Sequence, residues 1–220
     1  MSIARKLMGV TKGAAVGIEY VGSATYAQYN NTITFTSGAI SGLEAGDILL
    51  IFVSNDTTDN LSIPSGWTRQ YYNTGFNGTS TVAVYSKVAS SSTDTAVSIT
   101  GGARGSPAVV MLAFRNATFS SVTFSAATNN PASASCLDGD AAIITCYYQD
   151  VDSQATISAP SGYTESAETY VFVSTNLSSG IWAGYKTNLS APSENPDPIN
   201  VGSLSSPDLH GVSILVLSEA

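Results

Sequence analysis

Charge and reactive side chains are what this 220-residue sequence has least of. Only 11% of its residues are charged, histidine occurs once and cysteine twice. One histidine, His210, without a G-x-S-x-G elbow, argues against a Ser-His-Asp hydrolase. Two separated cysteines do not make a Cys/His zinc site. Lys and Arg total 8 against 16 Asp and Glu, a net charge of −8. Such an acidic chain is a poor match for nucleic acid, whose phosphates need basic partners. No stretch approaches the ~20 apolar residues of a membrane helix. After Arg5 and Lys6 the apolar run is only Leu7 to Val10, short of the roughly 7–15 residues of a secretory h-region. The sequence therefore predicts a chain made and kept in a cytosol, with Cys136 and Cys146 reduced, the sequons at Asn60, Asn176 and Asn188 unmodified, and no cofactor or metal.

What is abundant points to strands. Ser and Thr supply 56 of the 220 residues, and 43% of the chain is hydrophobic. Good helix formers are depleted, and no apolar spacing of i, i+3, i+4, i+7 persists over three turns. The chain reads as all-β.

Self-similarity is the strongest signal. Gly46-Asp47 followed by Ile48 to Val53 returns as Gly139-Asp140 followed by Ala141 to Cys146. Pro64-Ser65-Gly66-Trp67-Thr68 returns as Pro160-Ser161-Gly162-Tyr163-Thr164. Thr81 to Lys87 returns as Gly180 to Lys186, and Ala108 to Phe114 as Val212 to Leu217. Each landmark has a local cause. Gly-Asp is a turn that launches a buried strand, and in Pro-Ser-Gly the proline sets one corner while glycine accepts positive φ. The wholly apolar runs suit strands covered on both sides, and Val82 and Val84 alternate as in a half-exposed strand. Each half could close a small sandwich of its own. The length of the apolar runs favours instead both halves interleaved into one jelly-roll-like two-sheet β-sandwich of roughly 10–12 strands. Residues 22–220 would form it, with repeats at about 22–117 and 118–220.

Residues 1–21 read as a short extended arm. Arg5, Lys6 and Lys12 give it +3 without an acid, and the remaining 5 basic and 16 acidic side chains leave −11 on the body. Ile3, Arg5, Lys6, Leu7, Met8 and Lys12 are the candidate docking residues. Among aromatics, Trp67, Tyr71 and Tyr72 follow the first Pro-Ser-Gly turn, and Tyr147 and Tyr148 end the second long strand. They are candidates for stacking on a glycan or a neighbouring subunit. Adjacent tyrosines on a strand should point one ring outward. The pairs Asp56/Asp59, Asp138/Asp140 and Asp150/Asp152 lack the D-x-D-x-D-G spacing of a calcium loop and read as turn formers.

The Gly-Asp strand, the Pro-x-Gly-Trp-Thr turn, the Tyr85 to Ala89 strand end and the degenerate second copy together resemble a family of β-sandwich modules of phage virion and tail proteins, found also in bacterial surface proteins. The resemblance implies a non-enzymatic structural protein on the exterior of a phage particle, either capsid decoration or cement or a small tail- or fibre-associated knob. It implies assembly in the host cytoplasm, docking through the arm onto capsid or tail subunits, and a homo-oligomer, with a trimer the commonest form. The alternative is a module binding carbohydrate or a host receptor. Neither reading includes nucleic acid or membrane.

Overall fold

The computed structural model describes residues 16–58, 60–76, 80–149, 151–174, 177–202 and 209–220. The protein is an all-β two-sheet sandwich. Its strands are β1 (Glu19–Ala27), β2 (Asn30–Phe35), β3 (Ile48–Asn55), β4 (Thr68–Phe76), β5 (Ser80–Val88), β6 (Val97–Gly105) and β7 (Ala108–Arg115) in the first repeat. In the second they are β8 (Ala117–Ala126), β9 (Ala134–Ser135), β10 (Ala141–Gln149), β11 (Thr164–Ser174), β12 (Leu177–Lys186), β13 (Ser193–Glu194) and β14 (Leu209–Glu219). β1 thus starts at Glu19, inside the stretch expected to be arm.

Each repeat makes one complete sheet. The first runs β1-β7-β3-β5-β4 and the second β8-β14-β10-β12-β11. Adding seven to every strand of the first gives the second. Even the irregularities coincide: β4 and β11 bulge at Gln70 and Ser166, and β1 and β8 at Val21 and Ser120. The two sheets then face each other with β1 across from β11, β3 across from β10 and β12, and Tyr71 of β4 stacked on Phe124 of β8 at 5.3 Å. The last strand of each sheet lies over the first strand of the other, as in a dimer related by a two-fold axis. The repeats share an interior, but the expected interleaving of their strands is corrected: each repeat pairs only with itself and closes its own sheet.

Alternation along each strand divides the apolar side chains between two faces. Leu50, Phe52, Val84, Val110 and Phe114 meet Ile143, Tyr147, Ile181 and Leu215 between the sheets. The opposite faces do not meet solvent. Leu49, Ile51, Tyr85 and Met111 are covered by a two-stranded sheet of β2 and β6, through Ile33, Phe35, Val97 and Ile99, with Trp67 beside them. Ile144, Cys146, Trp182 and Val216 are covered by β9, by Cys136 and by loop residues Ala155, Ile157, Leu189 and Ile199. There are therefore four layers. This is why the central runs are continuously apolar, each buried side chain contributing about 1.5–3 kcal/mol. It also corrects the reading of β5 as half-exposed: Ser80 to Ser86 are all buried, because the small outer sheet covers the face expected to be wet.

The repeats solve the same packing problem with different pieces. On the outer face of β5 the large ring is Tyr85, with Ala83 beside it. At the matching places on β12, Trp182 is the large ring and Gly184 leaves room for it. A Cβ on Gly184 would stand 2.6 Å from the Trp182 ring. Tyr85 and Tyr185, which look alike in the sequence, are not equivalent: Tyr85 faces outward and Tyr185 stacks on Tyr20 at 4.5 Å between the sheets.

Start, middle and end of the described chain meet at Asn116, where φ is 57°. Its side-chain amide donates to the Gly17 carbonyl at 3.4 Å, and its own carbonyl accepts from the Ala220 N–H at 3.1 Å.

Candidate functional site

Most charged chemistry in the described chain holds turns. In the first repeat Asp47, 1% exposed, accepts from the Glu44 N–H at 2.8 Å and from Arg115 Nε and Nη2 at 3.0 and 3.1 Å. In the second, Asp140 accepts from the Leu137 N–H at 2.7 Å. Lys87 pairs with Asp94 at 2.6 Å, and Lys186 with Glu194 at 2.9 Å. Both lysines pass about 6 Å from the aromatic of the Pro-Ser-Gly turn, Trp67 or Tyr163. Gly66 and Gly162 take φ of 80° and 82° there, a conformation that would strain a side chain. These twin constellations are architectural. Burial alone would raise the Asp94 pKa, but Lys87 and the Ser90 hydroxyl and N–H outweigh it and hold the carboxyl at about 2.

Two further aspartates hold backbone groups in the same way. The buried Asp56 accepts from the Ser178 N–H at 3.0 Å, across the two sheets. Asp138 accepts from the Ala191 N–H at 2.9 Å. Asp59 and Asp150 lie outside the described residues. Among the described residues no three His, Cys, Asp or Glu side chains gather as a metal site would require. Cys136 and Cys146 are both buried and free, and burial pushes both thiols up.

The aromatics singled out by sequence are placed as follows. Trp67 is 6% exposed, in the outer core of the first repeat. Tyr71 is half-buried against Phe124, and Tyr72 lies beneath the Arg69 guanidinium at 4.1 Å. Tyr147 and Tyr148 are both fully buried, so neither ring points outward as expected. β10 is central and covered on both faces, and a Tyr-Tyr pair there must serve two cores. Tyr147 turns inward to the Ser213 hydroxyl at 3.2 Å, which in turn lies 2.5 Å from that of Thr145. The candidate arm residues Ile3, Arg5, Lys6, Leu7, Met8 and Lys12 lie outside the described residues.

Tyr148 turns to the outer face and leads to a group the sequence reading missed. It pairs with Gly180 of β12, which pairs with Tyr170 of β11, so the three form one rung. A Cβ on Gly180 would fall inside the Tyr148 ring. Only glycine lets that ring lie across β12 and stack on Tyr170 at 6.2 Å and 15°. Tyr170 in turn stacks on Phe172 at 6.5 Å and 27°, and Phe172 is 49% exposed. The row is pinned from below. The Tyr170 hydroxyl donates to the Val151 carbonyl, and the Tyr148 hydroxyl donates to Glu168 Oε1 at 3.5 Å. Glu168, next along the same face, is half-buried; burial raises its pKa while hydrogen bonds from Gln154 and Tyr148 partly offset the rise. A signal existed in the letters: Glu168, Tyr170 and Phe172 at i, i+2, i+4 must share one face of a strand.

The chain matches no protein-family model, and no curated protein and no solved structure matches it significantly.

Proposed function

We propose that this chain is a non-enzymatic structural protein of a bacteriophage particle, carried on the exterior as capsid decoration or cement or as a small tail- or fibre-associated knob. It docks on capsid or tail subunits through its basic N-terminal segment and assembles as a homo-oligomer in the host cytoplasm. The observation that carries the reading is the duplicated four-layer body, whose central strands are buried on both faces and whose charged groups common to both repeats hold its turns. Such a body is a rigid support, suited to bearing load and presenting a surface rather than to closing on a substrate. The landmark turns that resemble phage modules are the parts that build this body twice.

The test is physical association. Particles purified on a density gradient should carry the chain at a fixed copy number. A chain lacking residues 1–15 should fold with unchanged stability and fail to join them. Recovery of the full chain only in the particle-free fraction overturns the reading, and normal incorporation of the truncated chain overturns the docking role of the arm. The second reading, a glycan-binding module, is favoured by one observation, the half-exposed aromatic row on β11.

A further inference from the structure

The row Tyr148–Tyr170–Phe172 is more ordered than packing requires. The first repeat provides a control within the molecule: the counterparts of Tyr148, Gly180 and Tyr170 on the same backbone are Asn55, Thr81 and Thr74. The fold is thus built there without the Tyr148 and Tyr170 rings, while Phe76 follows Thr74 by two residues as Phe172 follows Tyr170. In the second repeat a glycine clears the way, a fully buried tyrosine fills the space, and two further rings carry the row to the surface. The outermost ring ends at a solvent-facing edge, because β11 is the last strand of its sheet. Beside the rings stand a carboxylate, Glu168, and the carboxamide of Gln154 bonded to it.

We infer that Tyr170 and Phe172, with Glu168 and Gln154 beside them, form a binding subsite for a neutral polysaccharide. The electron-rich faces of the rings match the C–H-lined faces of hexose rings. The carboxylate accepts and the carboxamide both donates and accepts, which suits vicinal hydroxyls. The rings stand 6.5 Å apart, on the scale of neighbouring sugars in one chain, and the bond from the Tyr170 hydroxyl to the Val151 carbonyl holds that ring before binding, so less freedom is lost. Charge selects within the class. Glu168 at the subsite and a net charge of −8 disfavour uronates, sulfates and sialates, leaving uncharged hexose chains. This inference does not depend on where on a particle the protein sits.

Native electrophoresis of the full chain through gels containing galactomannan, hydroxyethyl cellulose, a β-1,3-glucan or starch tests it, with alginate as the anionic comparison. At least one neutral polymer should retard the protein and alginate should not. Phe172→Ala should weaken that retardation at least tenfold with an unchanged melting temperature. Glu168→Gln should weaken it several-fold. Leu137→Ala, which removes another exposed apolar side chain, should leave it unchanged. The inference is overturned if no neutral polymer retards the protein, if Phe172→Ala migrates as the parent does, or if alginate retards it most. It is equally overturned if Phe172→Ala loses particle incorporation while no polymer binds. That last result would assign the row to a protein neighbour and leave the structural reading standing.

Discussion

Replacing Gly184 by alanine tests whether the outer face of β12 is packed as tightly as the geometry says. The added methyl carbon would stand 2.6 Å from Trp182 Cη2 and 3.2 Å from the Thr164 carbonyl oxygen. Trp182 is fully buried and has nowhere to retreat. Overpacking of this kind costs about 1–3 kcal/mol. The stiffer unfolded chain of the alanine variant returns roughly 0.4–1 kcal/mol. A net loss of about 1–2 kcal/mol remains, which for a chain of this length lowers Tm by roughly 3–6 °C in a calorimetric scan. Trp182→Ala alone should cost about 3–5 kcal/mol through the space it empties. The double variant Trp182→Ala/Gly184→Tyr copies the Ala83/Tyr85 arrangement of the first repeat and should recover a large part of that loss, a coupling of at least ~1 kcal/mol. The reasoning is refuted if Gly184→Ala melts at or above the parent temperature, or if the double variant shows the summed losses of its components.

Asp47→Ala should destabilise more than Asp140→Ala, by about 1 kcal/mol in urea titrations, since only Asp47 also holds an arginine; equal losses would show that Arg115 adds nothing. The depressed Asp94 pKa makes its contribution complete above about pH 4 and lost as pH falls toward 2. Stability of the parent relative to Asp94→Asn should therefore decline over that window by about 1 kcal/mol, and a flat difference refutes the Lys87 assignment. Native protein should leave both thiols unlabelled by a thiol reagent over hours, and both should react once the chain is unfolded in denaturant. Rapid labelling of Cys146 under native conditions would contradict its place between β14 and β12.

The landmarks that local chemistry dictates were legible in the letters. Gly-Asp and Pro-Ser-Gly announce turns wherever they fall, and apolar runs such as Ile48 to Val53 announce strands buried on both sides. What escaped depends on partners distant in sequence. Nothing in Thr81 to Lys87 tells that β2 and β6 will cover its second face, so its alternation read as half wet. The burial of Tyr148 depends on a glycine 32 residues away on the neighbouring strand, and one-dimensional periodicity carries no trace of it. The segregation of one repeat to each sheet escaped for a related reason: the same inner and outer patterns serve the interleaved sandwich that was expected equally well.

The convergence of three chain points on Asn116 has a mechanical consequence. The chain preceding Val16 and anything joined after Ala220 leave the body from a single corner, next to the Gly-Asp turns. The aromatic row lies at the far end of the strands, near the β11–β12 hairpin. A tether at that corner would hold the protein like a lamp on its stem, bearing tension along the strand direction while the opposite face stays free to touch whatever approaches.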